Sequence, residues 1–273
     1  YIADTGSHVI RKMTAAGAVT TIAGLAGVPG SVDGASNVAR FNAPAGIAVD
    51  SAGNLYIADS FNHTIRTLSP SGTVATLAGT AGQFAAVDGV GAAARFYLPT
   101  GVAVDSVGTV YVADSFNHAI RRITAGGTVS TFVGSLGNVG YVNGVGVNSR
   151  FSSPNSLVIE NGTGLIVADS GNNAIRRVTA FGVVTTVAGS TLGFGGALDG
   201  NGTSATFNRP SGVALDTSGN IFVADTVNNT IRRISTAGDV TTIAGTAGAG
   251  GYLDGVGAAV RFNRPYSIVL DAN

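Results

Sequence analysis

The chain has 273 residues, 45% of them hydrophobic and only 11% charged, and its 15 basic and 15 acidic side chains cancel to zero net charge. One lysine, Lys12, and no basic run leave nothing to neutralise a phosphate backbone, so nucleic acid is not an expected partner. No apolar run approaches the ~20 residues that span a bilayer, and the lack of Cys excludes disulfides and thiolate metal sites.

The chain opens on Tyr1-Ile2-Ala3-Asp4, without Met and in mid-repeat, which predicts a processed or truncated product. The same tetrad returns at Tyr56–Asp59, Tyr111–Asp114, Ile166–Asp169 and Phe222–Asp225. A fixed spacing of this length means a propeller, solenoid or array whose units must stack to bury their apolar faces. The repeat units are 1–55, 56–110, 111–165, 166–221 and 222–273, read as one domain over 1–273.

Within one repeat, Gly46–Asp50 is an apolar run closed by an acid, Ser51–Asn54 is turn chemistry, and Leu55–Ala58 is the next run. Asp59–His63 leads into Thr64–Leu68, and Ser69–Gly72 turns the chain into Val74–Ala78. Four short strands, A to D, predict an all-β fold of four-stranded antiparallel propeller blades. The runs are apolar on both faces, as a sheet sandwiched between neighbours requires. A longer crossing follows strand D; it holds Asp33-Gly34, Asp88-Gly89, Asn143-Gly144, Asp199-Gly200 or Asp254-Gly255, then Phe41, Phe96, Phe151, Phe207 or Phe262, then a Pro. The chain starts at a strand B and stops at Asp271-Ala272-Asn273, just past a strand A, so 266–270 is expected to pair with the first blade and close the ring.

The pattern carried by Phe41–Gly79, with Asn62-His63 and Asn117-His118 at its centre, resembles the NHL repeat over essentially the whole chain. The pair weakens to Ser7-His8 and becomes Asn172-Asn173 and Asn228-Asn229. The resemblance implies a propeller; its members include interaction platforms, receptor and kinase ectodomains and a few lyases, with six blades the more usual number.

A position shared by all blades is usually structural, whereas catalysis needs a constellation that breaks the symmetry. Of fourteen Asp, only Asp239 is off-pattern, and the one Glu, Glu160, replaces a strand-A Asp, so no isolated carboxylate pair offers general acid and base. His8, His63 and His118 share one repeat position and are the candidates for a metal site. Asn at the same position favours a structural role, each side chain bonding its own B–C loop backbone. The strand-C residues Arg11, Arg66, Arg121, Arg176 and Arg232 are expected to pair with loop Asp residues. Arg209 and Arg264 stand where other repeats have Ala43, Leu98 and Ser153, and mark a candidate surface patch. Asn62, Asn161, Asn201 and Asn228 begin glycosylation sequons, all in predicted loops.

These features lead to a non-enzymatic binding or assembly module without a cofactor, extracellular or on a cell surface. It would present a loop-built face to protein or glycan, or to copies of itself in a filament, low charge and apolar loops favouring association. The alternative is a metal-dependent propeller lyase or lactonase.

Overall fold

The computed structural model describes residues 1–271; Ala272 and Asn273, read from the sequence as lying just past a strand A, fall outside the described residues. The structure is all-β and resolves into two compact units, the first Tyr1–Phe132 and the second starting at Val133. Five antiparallel sheets are present, one for each return of the tetrad, and each has the strand order of a propeller blade.

Blade 1 has three strands, Ile2–Asp4, Val9–Met13 and Val19–Ala23, which are strands B, C and D of the repeat. Blade 2 shows the full set: strand A Pro44–Val49, B Leu55–Asp59, C Thr64–Leu68 and D Thr73–Ala78. Local chemistry fixes each turn. In the A–B hairpin, Asp50 Oδ1 accepts from the N–H groups of Ala52 (3.0 Å) and Asn54 (2.8 Å), while its Oδ2 accepts from Asn54 Nδ2 (2.9 Å), an Asx-type clasp. The B–C connection is a single 3-10 turn, Ser60–Asn62, which His63 ends in the left-handed region at φ 59°. Blades 3 to 5 repeat these elements over Pro99–Val133, Pro154–Ala188 and Pro210–Gly245.

Blades 2 to 5 have five strands rather than the four expected. The extra strand is two residues of the incoming crossing, such as Gly34–Ala35 or Gly89–Val90, which pair with the start of strand D. The crossing is thereby stitched to the outer edge of the blade it enters, satisfying backbone groups that would otherwise face solvent. The closure expected from 266–270 has no counterpart among the described strands: that segment carries no strand, and blade 1 stays three-stranded. The backbone of 265–266 is held within the second unit instead, where Pro265 O accepts from Thr226 Oγ1 (2.8 Å) and Tyr266 O from Ser211 Oγ (2.6 Å).

The cores lie between neighbouring sheets, which explains why the strands are apolar on both faces. In the first unit, Ala58 and Ile65 of blade 2 meet Val102, Val112 and Ile123 of blade 3, with Phe96 of the crossing between them. In the second, Ile166 and Ile175 meet Val213, Val223 and Ile234 around Phe207.

Candidate functional site

The charged residues of the repeat are built into the blades. Arg66 is fully buried: Nη1 donates to Asp59 Oδ2 (2.8 Å) and Arg40 O (3.0 Å), and Nη2 to Asp33 Oδ1 (2.5 Å) and Val32 O (2.9 Å). Its guanidinium lies 5.2 Å from the Phe41 ring centroid. Arg121 does the same with Asp114, Asp88 and Phe96, and Arg232 with Asp225, Asp199 and Phe207. In blade 4 the crossing residue is Asn143, whose Oδ1 accepts from Arg176 Nη2 at 2.8 Å. The strand-B Asp of blades 2 to 5 also takes a crossing N–H on Oδ1 and an Asn side chain on Oδ2, as Asp114 does from Tyr97 (2.8 Å) and Asn117 (2.9 Å). Burial pushes the carboxyls of Asp114 and Asp169 up to about 6, against the opposing pull of Arg121 and Arg176.

At four of the five shared positions, His8, His63, Asn173 and Asn229 fasten the next crossing rather than their own B–C loop, contrary to expectation. His8 Nδ1 accepts from the N–H of Ala43 (3.0 Å) and His63 Nδ1 from that of Leu98 (3.2 Å). Asn173 Oδ1 and Asn229 Oδ1 take the same bond from Arg209 (2.7 Å) and Arg264 (2.8 Å). Both ends of this bond have left-handed backbone, at φ 59° for His63 and 47° for Leu98. Arg209 and Arg264 therefore keep the repeat backbone they seemed to break, at φ 50° and 54°, with exposed side chains. His8 and His63 serve separate crossings, and no cluster of three His, Asp or Glu that could hold a metal occurs among the described residues.

Because Nδ1 of His63 is an acceptor, the imidazole is bound neutral, and burial holds its pKa below the ordinary value of 6.5. The stability this bond gives is present above 6.5 and is lost as pH falls through the lower folded value. Asn preserves the acceptor, so His63→Asn should change stability by less than about 1 kcal/mol, whereas His63→Ala strands the Leu98 N–H and should cost about 1–3 kcal/mol. Thermal melts at pH 7.5 and 5.5 check both, the acid-dependent loss being smaller in His63→Asn than in the parent.

Two of the four sequons lie in the framework. Asn62 and Asn228 are buried, and their Nδ2 atoms donate to Gly30 O and Asp59 Oδ2, and to Gly196 O and Asp225 Oδ2. A glycan there would have to break both bonds, so the loop placement read from the sequence does not make them accessible. Asn161, in the A–B hairpin of blade 4, is exposed; exposed Asn201 donates to Ala237 O (3.1 Å) and Asp239 Oδ1 (2.9 Å). Asp239 thus ties a C–D turn to the crossing beside it.

One cluster in the first unit does depart from the repeat. Phe84 and Tyr97, from the crossing into blade 3, stack at 4.7 Å between centroids, with 24° between their planes. Phe116, on the B–C turn of blade 3, tilts against Tyr97 at 5.2 Å, and the His63 ring stands across Phe84 and Tyr97 at 5.4 and 5.7 Å. Phe84 is 58% exposed and Phe116 49%; Phe61, at the Phe116 position of blade 2, is 59% exposed. The backbone under them is tied down: Phe116 N–H donates to Tyr97 O (3.2 Å), and Asn117 Nδ2 to Ala85 O (2.7 Å). Exposed aromatics on a fixed backbone offer apolar area at little entropic cost, which suits binding rather than proton transfer.

Sheets of blade type repeated at this spacing define an all-β repeat protein of the propeller class. The NHL repeat model matches residues 41–68, 96–123 and 207–234, so three of the five repeats are similar to the NHL repeat. It is 37% identical over 151 residues to NHL repeat-containing protein 2 of Bos taurus, which is 50% of this chain and 21% of that protein. The chain thus spans about a fifth of the length of such relatives. Among solved structures, an auxiliary nutrient binding protein from Bacteroides ovatus superposes with a TM-score of 0.61 at 19% identity, covering 83% of this chain and 54% of that one. Virginiamycin B lyase from Staphylococcus aureus gives 0.60 at 16% identity, covering 98% and 69%. At these identities the likeness is one of fold.

Proposed function

We propose that the chain is a non-enzymatic binding module, extracellular or on a cell surface, that presents its crossings and B–C turns to protein or glycan. The observation that carries this reading is the exposed cluster of Phe84, Tyr97 and Phe116 over His63, the place where side chains depart from the repeat and gather. The strand-B carboxylates and strand-C guanidiniums, by contrast, are committed to holding crossings. Exposed Val87, Val90, Val145 and Val147 on the crossings favour copies of the chain as a further partner, as in a filament.

A photo-crosslinking residue at position 116 should capture a partner from the native setting, and the same residue at position 181, an exposed Phe on a C–D turn, should not. Equal capture at both positions overturns the reading, and capture of the chain itself assigns the face to self-association. Elemental analysis of the purified chain tests the alternative: one divalent ion per chain, lost on changing His8, His63 or His118, would point to a metal-dependent lyase or lactonase.

A further inference from the structure

Four crossings in this chain hold a buried arginine, and the fifth, over 245–266, carries the same binding groups. The crossing into blade 2 meets the Arg66 guanidinium with the carbonyls of Val32 and Arg40, the Asp33 carboxylate and the Phe41 ring. The set recurs at the same offsets as Val87, Arg95, Asp88 and Phe96 around Arg121. Around Arg232 it is Leu198, Thr206, Asp199 and Phe207. In the fifth crossing these positions are Leu253, Arg261, Asp254 and Phe262, and all four line a cleft of about 610 Å³.

The backbone of this cleft has the form that binds arginine elsewhere in the chain. Arg261 N–H donates to Leu253 O and Gly251 N–H to Phe262 O, both at 3.0 Å, matching Arg40 to Val32 and Gly30 to Phe41 at the same length. A carbonyl in that bond still has a lone pair for a guanidinium, as Val32 O shows by accepting from Arg66 Nη2 at 2.9 Å. The Asp254 carboxylate is exposed and makes no hydrogen bond or ion pair among the described residues. Phe262 is half-buried, whereas Phe41, Phe96, Phe151 and Phe207 are covered completely, so part of its surface stays open to a ligand.

Tyr252 sharpens the match. It stands at the repeat position of Tyr141, whose ring centroid lies 4.9 Å from the Arg176 guanidinium, with Phe151 at 5.1 Å. The Tyr252 hydroxyl accepts from Asn263 Nδ2 (2.8 Å), which orients the ring. Blade 4 has the tyrosine but Asn143 in place of the acid, and blades 2, 3 and 5 have the acid without the tyrosine; the fifth crossing has both. Two carbonyls, one carboxylate and two aromatic rings match a planar guanidinium, which donates in several directions and stacks on rings. A compact ammonium cannot reach all of these groups at once.

We infer that the cleft around Asp254 is a binding site for the guanidinium of an arginine side chain. The site lies in the second unit and does not rest on the aromatic row of the first. Within this chain Arg11 carries a complementary half: its one bond among the described residues is to Asp4, at 3.3 Å, and its Nε is buried without a partner. A second copy of the chain and a different protein are thus two sources of the same chemistry.

The test uses the full chain, isotope-labelled for NMR, titrated separately with the blocked tripeptides Thr-Arg-Thr and Thr-Lys-Thr. The expected result is saturable binding of the arginine peptide below about 10 mM, with shifts centred on Tyr252, Asp254 and Phe262. The lysine peptide should bind about tenfold more weakly, and Asp254→Asn should weaken the arginine peptide by about the same factor. Asp239→Asn, which removes an exposed acid from a C–D turn, should change nothing, each variant being checked for an unchanged fold by its spectrum. Binding that is the same in the parent and in Arg11→Met assigns the site to an arginine of a different protein. Binding to Arg11→Met alone means that Arg11 takes the site, and a mass that rises with concentration in the parent but not in Arg11→Met shows that a second copy supplies it. The inference is overturned if neither chain binds the arginine peptide at about 10 mM, if the lysine peptide binds equally well, or if Asp254→Asn has no effect.

Discussion

Arg121→Met is expected to destabilise the chain by about 3–5 kcal/mol, a fall of roughly 10 °C in melting temperature. The replacement is close in length and apolar, so the loss does not come from an empty space. It comes from Asp114, fully buried, which loses its only cation, and from the carbonyl of Arg95, which loses the Arg121 donor, while Val87 O keeps only the Arg95 N–H. The crossing also loses its tie through Asp88, the residue just ahead of the extra strand Gly89–Val90. Arg121→Lys should recover little, because one ammonium cannot span two acids and two carbonyls. Arg11 supplies the control: its pair with Asp4 is 3.3 Å long, with side chains 39% and 28% exposed, so Arg11→Met should cost less than about 1 kcal/mol. The deficit should also depend on pH. With its pKa raised to about 6, against 3.8 for an ordinary Asp, the folded carboxyl takes up a proton before the unfolded one does, so lowering pH between these values favours the folded state. Without Arg121 the carboxyl rises further and the gain is larger. Chemical denaturation at pH 7 and pH 5 should therefore show the Arg121→Met deficit shrinking in acid. A deficit that is constant or widens would mean that Asp114 is not the source of the cost.

The repeat and its four main strands were legible because each is a run of β-branched and aromatic residues closed by turn chemistry of fixed length, Ser51–Asn54 or Ser69–Gly72. The extra strand was not legible. Two residues such as Gly34–Ala35 have no periodicity, and their pairing follows from Asp33 being held by Arg66, 33 positions away. The partner of the His and Asn residues was missed for a similar reason: a left-handed turn closing on itself is a local pattern, whereas His63 to Leu98 is a contact between blades. The aromatic cluster did leave a signal, since Phe84 replaces Pro29, Val139, Gly195 and Gly250, and Tyr97 replaces Asn42, Ser152, Asn208 and Asn263. Applying the symmetry test to titratable residues alone passed over it, although apolar residues obey the same logic.

Gly46→Val is the second change expected to have a large effect, costing about 3 kcal/mol or more, with Gly46→Ala somewhat less. Strands A of blades 2 and 3, Pro44–Val49 and Pro99–Val104, approach backbone to backbone at this point. A Cβ on residue 46 would overlap Thr100 O and lie 3.1 Å from Gly101 Cα and 3.2 Å from Val102 N. All three are main-chain atoms inside a paired sheet, so no rotamer change relieves the clash; one strand must move, and with it the packing of Ile47 and Val102. The second unit repeats the contact, where a Cβ on Gly212 would lie 2.8 Å from Tyr266 O and 2.9 Å from Ser267 Cα. Ser156 and Ser267 occupy the same repeat position, so the requirement for glycine belongs to particular approaches and not to the motif. Gly126→Ala, on a C–D turn where the added methyl meets only Thr124 Oγ1 at 3.9 Å, should leave stability within about 0.5 kcal/mol. Melting curves for Gly46→Ala, Gly46→Val and Gly126→Ala should fall in that order of expected damage: large, larger and negligible. A Gly46→Val chain that melts with the parent would show that the two strands stand further apart than the structure places them.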